Sequence, residues 1–114
     1  MNRDLDALKV IRDAATALVA HIGGYDQLTF ESDRKTRSAV LYEVVVIGEG
    51  VKRLSPEFRA KHPEIPWKQI AGMRDRVVHS FDEVDLGMAW TVCQIQAPSL
   101  IVALDQIDTH DRAG

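Results

Sequence analysis

Val40, Val44, Ile47, Val51 and Leu54 recur at steps of four, three, four and three. Each residue of an α-helix advances about 100°, so these side chains stack into one apolar stripe. The run Val44-Val45-Val46-Ile47 favours a strand by local propensity. The stripe is far longer than a strand needs, and its period is helical, so it predicts a helix from Asp33, a good N-cap, to about Leu54. Gly48 and Gly50 inside that helix each cost about 1 kcal/mol relative to alanine. Close approach of another backbone accounts best for Gly48, and a tolerated surface glycine is an equal alternative at Gly50. Glu49 between them is a candidate semi-buried carboxylate.

The same spacing recurs along the chain. Leu5, Leu8, Ile11, Ala15, Leu18 and Ile22 predict an amphipathic helix over 3–22, stopped by Gly23-Gly24. Residues 25–32 read as a loop whose Tyr25, Leu28 and Phe30 tuck onto the bundle. Ser55-Pro56 reads as an N-cap followed by a first-turn proline, opening a short helix to Ala60 or His62. The connector His62-Pro63-Glu64-Ile65-Pro66-Trp67 is stiff, and Pro66 starts a helix running to about Ser80. Asp85 caps a last helix over 86–108, where Pro98 removes the bond to the Gln94 carbonyl and predicts a kink. Residues 109–114 read as a frayed tail. Four long helices with short connectors predict one all-α domain over 1–114, an antiparallel four-helix bundle with an extra short helix.

Composition excludes several function classes. With Cys93 as the only cysteine, no internal disulfide can form. No run reads as approaching the roughly 18–20 apolar residues of a membrane span, and the N-terminus lacks a signal-peptide core. The expected setting is the cytoplasm, away from membranes. The histidines include no pair spaced as helix-borne zinc ligands, so neither metal nor cofactor is expected. The net charge of −3 argues against a general nucleic-acid coat. Locally the balance reverses: residues 52–76 carry seven basic side chains against three acids, while 77–114 carry Arg112 against six acids. Lys52, Arg53, Lys68 and Arg76 therefore form a candidate phosphate-chain patch. Basic residues scattered over a surface loop are the bland alternative.

The densest cluster of reactive side chains is Met73-Arg74-Asp75-Arg76-Val77-Val78-His79-Ser80-Phe81. Asp75 and His79 are four apart, so the carboxylate can reach the imidazole and fix its tautomer. Arg74 and His79 are five apart and diverge by about 140°, so one copy does not aim both at one small target. Arginine's length or a second copy across a symmetry axis can close the gap. Solvated helix charges at Arg74 and Arg76, and an ordinary His–Asp pair, remain the competing reading.

Arg74, four residues, His79, one more and then an aromatic give an Arg-x4-His-x-Tyr-like layout that resembles HEPN-domain proteins, the HepT-like toxins in particular. Ile47-Gly48-Glu49, Ile65-Pro66-Trp67 and the proline-bearing final helix add to the resemblance, which covers about residues 4–108. It implies a homodimeric all-α bundle and a metal-independent endoribonuclease, with two motif copies facing one cleft. It further implies His79 in proton transfer, Arg74 on the scissile phosphate and Asp75 orienting His79, with Glu49, Ser80 and Phe81 supporting the motif. RNA is the implied substrate, met also by Lys52, Arg53, Lys68 and Arg76. The implied partner is an MNT-type minimal nucleotidyltransferase antitoxin. Phe81 stands where the family has a tyrosine that takes AMP from that partner, and phenylalanine has no hydroxyl to accept it. The alternative is thus a catalytically weak or inactive dimer that binds a nucleotidyltransferase or a nucleotide.

Overall fold

Side-chain caps divide the chain into helices. In the computed structural model, which describes residues 2–80 and 83–113 and no side chains at 2 and 108–113, Asp26, Asp33, Ser55 and Asp85 each accept backbone N–H groups at a helix start. The elements are α1 Asn2–His21, α2 Gln27–Ser32, α3 Arg34–Arg53, α4 Pro56–Lys61, α5 Trp67–His79, α6 Leu86–Thr91, a π-helical turn Val92–Gln96, and α7 Ala97–Ala113. All the regular structure among the described residues is helical, as the periodicity predicts.

α3 is the central member, packed against α1 on one side and α5 on the other, while α7 returns along α1. Ile11, Leu18, Val40, Val51, Phe30 and Cys93 are the largest fully buried side chains. Burial pushes the Cys93 thiol up to about 11, so it behaves as an apolar filler. Both α3 glycines are contact points. A Cβ at Gly50 would lie 2.6 Å from Ile11 Cγ1, which makes it a buried α1 contact and removes the surface alternative. Asp4 accepts from the N–H and the hydroxyl of Ser55, both at 2.8 Å, tying the start of α1 to the α3–α4 corner.

Several expectations need correction. Residues 27–32 are a short helix, because the Asp26 carboxylate bonds Thr29 N at 2.8 Å and satisfies the opening turn. Phe30 is buried against Trp90, but Leu28 points outward at 76% exposure, on the other side of that helix. Pro66 is the N-cap of α5, just ahead of Trp67. The final helix continues through Ala113, past the anticipated end at Asp108. Ahead of Pro98 the ladder widens by one residue: Ala97 N–H donates to Val92 O, so the proline is accommodated by a π-turn. Finally, Leu86–Ile107 is long and apolar enough, by length and composition, to cross a membrane, with an 18-residue window of mean hydropathy 1.3 that is 28% buried. Glutamines and Pro98 interrupt the run and mask it in the sequence, and Gln94, Gln96, Ser99 and Asp105 are exposed.

Candidate functional site

The site begins at a glycine. A Cβ on Gly48 would lie 2.1 Å from Arg74 Cβ and 2.8 Å from its Cγ. Only the bare backbone of α3 therefore lets the base of the Arg74 side chain sit where it does. The neighbouring residue then supplies the electrostatic partner: Arg74 Nε donates to Glu49 Oε1 at 2.8 Å, and its Nη2 donates to the same oxygen. Nη1 donates to Asp75 Oδ1 at 3.0 Å. Of the five N–H groups of a guanidinium, two keep no partner among the described residues. Arg74 is 23% exposed, so these remain within reach of a ligand.

Asp75 does not orient His79. Its Oδ1 accepts from Lys52 Nζ at 2.6 Å as well as from Arg74, and these bonds, Lys52 first, hold its carboxyl below the usual range. Hydrogen bonds to Asp75 and Glu49 raise the Arg74 guanidinium in turn. The reason is geometric and electrostatic. Asp75 faces Lys52 of α3 and its own neighbour Arg74, and these two cations outbid an imidazole a turn away. Lys52 and Arg53 close α3, where cations also complement the helix dipole. Lys52 is thus engaged with Asp75, while Arg53 is exposed.

His79 is the last residue of α5; it is exposed and has no hydrogen-bond partner among the described residues. Ser80 caps the helix, its N–H on Arg76 O at 2.9 Å. Phe81 lies outside the described residues. The structure thus joins Glu49, Lys52, Arg74 and Asp75 in one cluster, sets His79 at its edge, and places Lys68 and Arg76 elsewhere, lining a cleft on another side of α5. The Glu49–Arg74 pair spans 25 positions; the adjacent glycine is the sequence signal for the close approach, but the partner is not readable from it. Sequence reasoning also missed Arg59, which lines that cleft with Lys68 and Arg76. Among the described residues no three metal-ligating side chains gather.

The profile of the family described as HepT-like, "Ribonuclease HepT-like", matches residues 7–107. The chain belongs to the HepT-like ribonuclease family. It is 39% identical over 71 residues to "Probable ribonuclease HepT" of Thermococcus cleftensis, covering 62% of this chain and 64% of that protein. It is 36% identical over 83 residues to a protein of Caldanaerobacter subterraneus subsp. tengcongensis named as a "Putative RNase", covering 73% and 74%. With a protein of Methanocaldococcus jannaschii, also named as an RNase, identity is 27% over 99 residues, covering 86% and 91%. The chain spans a little under two thirds of the Thermococcus relative. No solved structure gives a significant match. The family and these relatives are named for probable or putative ribonuclease activity.

Proposed function

We propose that this chain is a metal-independent endoribonuclease, the cytoplasmic toxin of a two-gene module whose partner is an MNT-type nucleotidyltransferase. The observation that carries this reading is the pairing of a clamped arginine with an uncommitted histidine: Arg74 fixed by Glu49 and Asp75, and His79 open to solvent a turn further on. A fixed guanidinium can bind two phosphate oxygens without losing rotamer freedom at the moment of reaction. Histidine as a residue type exchanges protons near neutral pH.

In the proposed reaction the ribose 2′-oxygen attacks phosphorus and its proton passes to an imidazole. The bond to the 5′-oxygen breaks, and that oxygen takes a proton, leaving a 2′,3′-cyclic phosphate. Arg74 stabilises the charge that gathers on the phosphoryl oxygens. Because Arg74 and His79 diverge by about 140° along one helix, the reading uses two copies, each supplying one of the converging pair. Arg53, exposed at the end of α3, is assigned in this reading to the flanking chain.

Phe81 favours the second reading, a binding module that has lost cleavage, since its ring offers no group for nucleotide transfer. One experiment separates the two. Purified protein is incubated with single-stranded RNA in EDTA, and the products are weighed by mass spectrometry. Cyclic-phosphate ends that fall about 10²–10⁴-fold in rate in His79→Ala, with an unchanged melting temperature, support the nuclease. Cleavage unaffected by His79→Ala, or abolished by EDTA, overturns it.

A further inference from the structure

Between α5 and the run from the π-turn into α7, the bundle leaves a cleft of about 1220 Å³. Its floor is aliphatic and thioether: Ile70, Met73, Met88 and Leu100. Ile95 stands on its wall, 61% exposed. Arg59, Lys68 and Arg76 line it against one carboxylate, Glu64, on a chain whose net charge is −3. Arg59 Nε is buried and has no hydrogen-bond partner among the described residues. The residue as a whole is only partly buried and has no ion pair among the described residues, so its guanidinium has an unneutralised charge to offer an incoming carboxylate.

We propose that this cleft seats an acidic amphipathic helix of a partner protein, its apolar face on the floor and its carboxylates on Arg59, Lys68 and Arg76. The cleft exceeds the roughly 300–1,000 Å³ of small-molecule sites, and an elongated apolar groove rimmed by charge is how helices are received. Met73 and Met88 give a floor that adapts to the side chains it meets. The same cations would attract RNA, but the aromatic lining the cleft, Trp67, is 6% exposed and its indole N–H is spent on the His62 carbonyl at 3.0 Å. Bases therefore find no exposed ring to stack on. Met73 and Arg76 lie on a different side of α5 from Arg74, which abuts Gly48. An occupant here leaves the Glu49–Arg74 cluster uncovered, and the inference does not depend on the nuclease reading.

The test titrates the intact protein, followed by amide chemical shifts and fluorescence anisotropy. The probes are a synthetic helical peptide with leucines on one face flanked by glutamates, its lysine-flanked counterpart, and a single-stranded RNA. The glutamate peptide is expected to bind, to shift Met73, Met88 and Ile95, and to lose about 10-fold or more in affinity with Arg59→Glu. Arg59→Gln, milder on folding, is expected to weaken the peptide while leaving the melting temperature unchanged. No shift with the glutamate peptide, equal binding of the lysine peptide, or shifts at these positions from RNA would each overturn the proposal. So would sedimentation showing a dimer that Ile95→Asp converts to monomers, because the cleft would then belong to a second copy of this chain.

Discussion

The two flanks of α5 are built on opposite principles. Toward α3 the helix is zipped shut: Gly48 removes the steric barrier, Glu49 and Asp75 share Arg74, and Lys52 completes the row. Toward the final helix it stands off across an apolar cleft lined by Arg59, Lys68 and Arg76. The first flank tolerates no added volume; the second has room to receive it. Rigidity on one side places Arg74, and openness on the other leaves α5 a face for something else.

Substitutions can break this contrast, and the largest effect falls on the buried core of α5 itself. Ile70, 7% exposed at the base of α5, is expected to cost about 2–5 kcal/mol as Ile70→Ala, read by urea unfolding. Gly48→Ala follows, since its methyl would enter the space of Arg74 Cβ; overpacking of this kind costs about 1–3 kcal/mol, and the melting temperature should fall by several degrees. The same measurement on Met88→Ala, in the open cleft, should move stability by less than about 1 kcal/mol. Equal losses at Gly48 and Met88 would erase the distinction between the flanks.

Acid sharpens it further. Lys52 and Arg74 hold the Asp75 carboxyl below the usual carboxylate range, and hydrogen bonds from Thr36 and Tyr25 do the same for Asp33. A carboxyl whose folded value lies below its unfolded value contributes its full stabilisation above the unfolded value, about 3.9 for aspartate, and loses it as pH falls through the folded value. Helicity followed by circular dichroism should stay level from neutrality to about pH 5 and decline below about pH 4. Asp75→Asn should shrink that decline.

The smallest expected effect on stability is that of Glu49→Gln, which keeps the shape of the clamp and removes its charge. Its readout is the Arg74 Nε–H resonance, which should lose protection from solvent exchange while the melting temperature barely changes.

Much of this was legible in the sequence because helical period, caps and prolines act within a few residues. The α3 stripe outweighed the strand preference of its valine run, and Ser55 and Asp85 cap the helices that follow them. Local rules failed where two influences compete at short range. The 27–32 helix is too short for a period and depends on Asp26 alone, and Pro98 is absorbed by widening the turn before it.

By itself the sequence determined which faces are apolar, where helices begin, and that Arg74 and His79 share one helix while pointing apart. Only the tertiary structure decided the partners. Asp75 turned to Lys52 and Arg74, and Glu49 reached across to Arg74, because α3 approaches α5 closely enough at Gly48 for charges on two helices to meet. Such pairings join residues more than twenty positions apart. No periodicity carries that distance, since it is set by how helices stack once their apolar stripes have been buried.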